Sequence, residues 1–250
     1  MEVNTKLQKI DCDWLDAKNE CRNTVNKDAT NVEATETFKK KLLISEHSPI
    51  RLLSVKWRWE GIFSWVSVHF ARHWLGWDKW VSTQRSDRTG VDRNSQPQDT
   101  KVNMDIRANA QALINVSRFR LCYQASPETR SCMEDLKVNV KKCEPEIADV
   151  MVPNCIYRCG CPEFTECGFF KKFCDALANL ARASATTEGA GKRKLAARGH
   201  YISPSMIQAE LSCASLPSAS GDEVSRTLPA GSSTGAAPKF VTHAQPLSRR

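Results

Sequence analysis

The chain has 250 residues, of which 41% are hydrophobic, 26% charged and 8% aromatic, and its formal net charge is +8. That balance belongs to a globular protein, and no run reaches the roughly 18 apolar residues that a membrane span needs. The first residues, MEVNTKLQKI, hold no apolar signal core, and the eleven cysteines are odd in number, so reduced thiols in a cytoplasmic protein are expected rather than a disulfide framework.

The charge is unevenly spread. Residues 1–175 carry 27 Lys and Arg against 24 Asp and Glu, whereas residues 176–250 carry 9 against 4 and have only Tyr201 and Phe240 as aromatics. A phosphate-binding surface would concentrate its basic residues on the folded part, so this distribution argues against nucleic acid as the partner despite a pI near 9.0. The expected organisation is a polar N-terminal region (1–46), a compact domain (47–175) whose segment 143–175 is cysteine-rich, and a disordered, low-complexity tail (176–250).

In chain order, the N-terminal region offers one helix ending near Leu43. Leu52, Leu53, Val55, Trp57 and Trp59 give partial alternation and predict a strand at about 52–60. Ile62, Phe63, Val66 and Phe70 predict a helix to about Leu75, with Ser64 as its cap. Residues 76–103 read as a polar loop broken by Gly76, Gly90 and Pro97. The spacing of Ile106, Ala110, Leu113, Val116 and Leu121 predicts a long helix over 104–123 capped by Asn103. Ser126-Pro127 starts another, with Met133, Leu136 and Val140 on one face. The fold class expected is α+β, with helices packed on an antiparallel sheet.

The chain lacks a Gly-rich phosphate loop, a nucleophile elbow and a zinc-protease helix. What it has is arginine: Arg72, Arg85, Arg93, Arg118, Arg120 and Arg130. The planar guanidinium fork suits phosphates and polarised carbonyls. These arginines stand in an ordered series with Arg72-His73, Thr83-Gln84-Arg85, Asn109-Ala110, Asn115, Arg120-Leu121-Cys122, Ala125, Glu128 and Arg130.

In that series the chain resembles the flavin-dependent thymidylate synthases of divergent phage or bacterial type. The likeness covers about residues 47–130 and runs without a gap from Arg93 to Arg130, with His47 at the family's upstream histidine. Trp74 stands where the signature has its second arginine, Gln111 replaces another arginine, and the stretch to Thr83 and Arg85 has one extra residue and lacks a glutamate. The resemblance implies that His69, Arg72, Thr83, Arg85, Arg93 and Arg120 contact the nucleotide. It makes Arg120 the catalytic residue, favouring the anionic pyrimidine ring. It places His73, Asn109, Gln111 and Asn115 at the flavin. The implied reaction converts dUMP or a related pyrimidine nucleotide to dTMP, with FAD as cofactor and NADPH and methylenetetrahydrofolate as co-substrates, in a homo-oligomer, a tetramer by resemblance.

Two other readings stay open. One is a non-enzymatic nucleotide- or nucleic-acid-binding module that has lost flavin chemistry. The other is a cysteine-rich, metal-binding interaction protein. Cys155, Cys159, Cys161, Cys167 and Cys174, with Cys143 upstream, lack the paired C-x2-C knuckles of structural zinc sites, so packed free thiols and no metal are expected there. Of the tryptophans, Trp74 and Trp77 beside the arginine loop are the candidates for stacking on a ring; core packing is the commoner use.

Overall fold

The computed structural model describes residues 1–187. Its strands are β1 (Asn4–Asp11), β2 (Ser54–Phe63), β3 (Trp77–Val81) and β4 (Lys101–Asn109). Its α-helices are α1 (Trp14–Asn23), α2 (Glu36–Ile44), α3 (Ser64–Ala71), α4 (Ser86–Thr89), α5 (Ala110–Arg120), α6 (Pro127–Lys141), α7 (Pro145–Val150), α8 (Asn154–Tyr157) and α9 (Phe169–Thr187). The strands form one antiparallel sheet in the order β1-β2-β4-β3, and the expected α+β class holds. No helix among the described residues is long and apolar enough to cross a membrane.

Alternation decides which sheet face is covered. Val55, Trp57 and Trp59 of β2 lie opposite Ala108, Ile106 and Met104 of β4, all buried, and α3, α5 and α6 contact the sheet strands. The facing positions are polar: Arg58 forms a two-pronged ion pair with Asp105 at 2.7 Å, and Gln8 also bonds Asp105. Trp57 meets Trp59 and Trp77 edge-on at centroid distances of 5.5 and 5.3 Å, a geometry that adds to the burial of these rings. Trp77 is therefore a core residue, whereas Trp74 is 73% exposed.

Several expectations are corrected. Residues 101–109 are a strand, and the helix occupies only Ala110–Arg120, capped by Asn109 rather than Asn103: Asn109 Oδ1 accepts from the Ala112 N–H at 2.9 Å. Ile106 and Ala110 share helical spacing with Leu113, but Val102, Met104, Ile106 and Ala108 alternate into the core with the period of a strand. The N-terminal region supplies β1, α1 and α2, with Trp14, Ala17, Leu42 and Leu43 in the core. Part of the expected loop is the edge strand β3. Helix α3 stops at Ala71, and Ser64 is inside it. Its first N–H groups are satisfied by the carbonyls of Thr100 (2.9 Å) and Gln98 (3.3 Å) instead of a side-chain cap. Helix α9 runs across residue 175 to Thr187; the rest of the expected tail lies outside the described residues.

Candidate functional site: a cationic cluster between two helices

Helix α3 ends at Ala71 with Arg72 as its C-cap, and the turn 73–76 returns the chain into β3. Gly76 adopts φ +65°, and a Cβ there would stand 2.4 Å from Asn109 Nδ2, so only glycine lets the turn close on the start of α5. The Asn109 N–H donates to the Gly76 carbonyl at 3.0 Å while its side chain caps α5. One residue thus fixes the His73 turn and the helix that carries Arg120.

From the last turn of α5, Arg120 reaches back to α3. Its Nε–H donates to His73 Nε2 at 3.0 Å and its Nη2 to the His69 carbonyl at 2.8 Å. A guanidinium has only donors, so His73 must present a lone pair at Nε2 and carry its proton on Nδ1. Burial first, then the nearby Arg120 and Lys79, push the His73 pKa down to about 4, which keeps the ring neutral at pH 7. Lys79 also donates to the His73 carbonyl at 2.7 Å. Burial and the charges of Arg120 and Arg72 lower the His69 pKa as well; its Nδ1 pairs with Thr129 Oγ1 at 3.0 Å, which Ser126 Oγ contacts at 2.7 Å. Burial first, then the charge of Arg72, exposed nearby, lower the Arg120 pKa, but a guanidinium stays charged.

The cluster therefore holds Arg72, Lys79 and Arg120 beside two histidines, and no carboxylate among the described residues forms an ion pair with any of the three cations. Concentrated positive charge without a counter-ion is a place for an anion.

The structure separates the other expected site residues. Thr83, Arg85 and Arg93 lie on the exposed loop after β3. Thr83 Oγ1 accepts from the Arg85 N–H at 3.2 Å, and the Arg85 guanidinium is engaged by Asp87 at 3.0 and 2.8 Å. Arg93 is held by its own N–H to Ser86 Oγ at 2.9 Å. No hydrogen bond or ion pair among the described residues joins this loop set to Arg120. Gln111 and Asn115 sit on another face of α5, where Gln111 Nε2 donates to Glu46 and to Asn115 Oδ1, and Arg118 pairs with Glu46 and Asn115. His47 is exposed at the entry of a 3-10 turn, and its carbonyl accepts from the Ile50 N–H.

Sequence reasoning missed Gly76, Lys79, Glu46 and Thr129. Gly76, three residues after His73, could have been read as a positive-φ turn; Glu46 and Thr129 come near the site only through folding.

No family model and no curated protein matches the chain. Among solved structures it is similar to a UMP/dUMP methylase, PolB, from Streptomyces cacaoi bound with 5-Br dUMP, at 14% identity and TM-score 0.49, covering 60% of this chain and 94% of that one. It is also similar to the flavin dependent thymidylate synthase ThyX from Helicobacter pylori complexed with FAD and dUMP, at 12% identity and TM-score 0.49, covering 61% of this chain and 100% of that one.

Proposed function

We propose that the chain is an enzyme of the flavin-dependent thymidylate synthase type, acting on dUMP or a related pyrimidine nucleotide to form dTMP with methylenetetrahydrofolate and NADPH, in the cytoplasm. The observation that carries this reading is the carboxylate-free cluster in which a neutral His73 and the His69 carbonyl aim Arg120. Those two bonds leave the remaining guanidinium donors uncommitted. In such a site Arg120 stabilises negative charge on the pyrimidine ring, which raises the nucleophilicity of the ring carbon that receives the methylene group, and no covalent cysteine is required. Arg72 supplies charge for the nucleotide phosphate.

The donors near His73 fit a flavin: the neutral ring with its Nδ1 proton, Asn109 beside the Gly76 turn, and the exposed face of Trp74 for a planar ring system. FAD, when bound, supplies hydride chemistry. Gln111 and Asn115 would have to exchange their bonds to Glu46 and Arg118 to contribute, an observation that favours, as a second reading, a nucleotide-binding module without flavin chemistry.

A homo-oligomer, a tetramer by resemblance, is supported by the open edge strand β3, which exposes Trp80 and Val81, and by the turn before it, which exposes Trp74 and Leu75. In such an assembly Arg85 and Arg93 of a neighbouring copy can join Arg120 once Arg85 releases Asp87. The test is the visible spectrum of the purified chain, fresh or incubated with FAD. A flavin band that bleaches with NADPH and responds to dUMP is expected. A colourless protein that takes up no FAD but binds dUMP selects the second reading.

A further inference from the structure

The first turn of α6 meets the cationic cluster through one fully buried hydroxyl. Thr129 is 0% exposed, and its Oγ1 stands 3.0 Å from His69 Nδ1 where α3 packs on α6. That hydroxyl has a neighbour of its own. Ser126, the N-cap of α6, accepts from the Thr129 N–H at 3.4 Å and donates its Oγ–H to Thr129 Oγ1 at 2.7 Å. With that donation received, Thr129 keeps one proton to give, and His69 Nδ1 is the acceptor within reach. Two hydroxyls in series therefore impose a direction on a bond that an isolated Thr–His contact would leave open.

The consequence falls on the other ring nitrogen. A neutral histidine that accepts at Nδ1 carries its proton on Nε2. Burial first, then the charges of Arg120 and Arg72, lower the His69 pKa, which favours the neutral ring. No group among the described residues bonds Nε2, and the residue is only half-buried. The Trp65 ring, edge-on at 5.5 Å, and the Arg120 bond to the His69 carbonyl hold the rest of the residue in place. His69 and His73 thus carry opposite tautomers on one cluster: His73 turns a lone pair toward Arg120, whereas His69 adds an N–H to the donors.

We propose that Ser126 and Thr129 are positioning residues that hold His69 as its Nε2–H tautomer, so that His69 donates to the anionic oxygen of the ligand that Arg72 and Arg120 attract. This rests on the nucleotide reading, in which that oxygen belongs to the phosphate. The opposite tautomer would turn a lone pair toward the phosphate and repel it. Ser126 and Thr129 act only through His69. A glutamine side chain in place of His69 sets an amide N–H where Nε2 stands and needs no such pair, whereas asparagine reaches only as far as Nδ1.

The test uses the full chain with isotope-labelled histidine. At alkaline pH, where the rings are neutral, long-range proton–nitrogen NMR spectra separate a protonated ring nitrogen from a bare one, and His69→Gln and His73→Gln assign the two rings. His69 is expected to show a bare Nδ1 and a protonated Nε2, and His73 the reverse. Thr129→Val keeps the side-chain shape without the hydroxyl; it should mix the His69 tautomers and weaken dUMP binding about fivefold, with Thr129→Ser restoring both. Ser126→Ala frees Thr129 to accept and should move His69 toward Nδ1–H. His69→Gln should bind dUMP within about threefold of wild type and His69→Asn at least about tenfold more weakly. Deoxyuridine, which lacks the phosphate, should show none of these losses. Should the variants fail to fold, the wild-type tautomer of His69 decides alone. The proposal is overturned by a protonated Nδ1 on wild-type His69, by an unmoved tautomer in folded Thr129→Val, by equal dUMP affinities of His69→Gln and His69→Asn, or by equal losses for deoxyuridine. A wild-type chain that binds no dUMP yet shows a protonated Nε2 on His69 strikes the nucleotide reading and not the hydroxyl pair.

Discussion

Arg118 and Arg120 are two residues apart on α5, which turns them roughly 200° around the helix, and they have opposite fates. Arg118 is closed in: its side chain is 14% exposed, Glu46 at 21% neutralises it, Asn115 bonds it and Tyr157 covers it. Arg120 meets only a neutral imidazole and a carbonyl and keeps its charge unbalanced. An arginine bound to a carboxylate is structure; one bound to uncharged acceptors is still available to a ligand. The same distinction sorts the loop, where Asp87 occupies Arg85.

The largest expected effect breaks the closed side. Glu46→Ala strands Arg118 in a mostly buried position and should cost about 2–3 kcal/mol of stability in a urea melt, with dUMP affinity unchanged. Gly76→Ala drives a methyl group into Asn109 from a left-handed backbone position; a loss of about 2 kcal/mol is expected, together with weaker dUMP binding, because the His73 turn must move. Asn109→Ala removes the α5 cap and should cost about 1 kcal/mol by the same melt.

The smallest effect is a pH dependence. His73 titrates near 6.5 in the unfolded chain and about 4 when folded, so the unfolded chain binds more protons between those values and stability falls as pH drops through that window. Solvent access to the half-buried ring limits its size. Urea midpoints at both ends of the window should differ more for the wild type than for His73→Gln; equal differences would place His73 outside the effect.

The sheet's central strand and the helix α6 were readable because their apolar residues repeat with a single period. Reading failed where two periods overlap: Ile106 belongs to an alternating strand and, by accident of spacing, to the helical face that begins at Ala110. It failed again at β1, where Lys6 and Lys9 on the outward face hide Thr5, Leu7 and Ile10. In the candidate site, Arg72, His73 and Arg120 were legible as a motif, but their meaning depends on which carboxylates fold nearby. Glu46 and Asp87 neutralise Arg118 and Arg85, and spacing along the chain does not reveal where a counter-ion lands.

The most direct test of the cluster is a calorimetric titration of dUMP into the full chain, into Arg120→Ala and into Arg118→Gln. Arg120→Ala should weaken binding at least about tenfold, equivalent to about 1.4 kcal/mol, while folded Arg118→Gln stays within about twofold of wild type. Equal losses in the two variants, or an unchanged affinity in Arg120→Ala, would contradict the assignment of Arg120 as the anion-binding arginine.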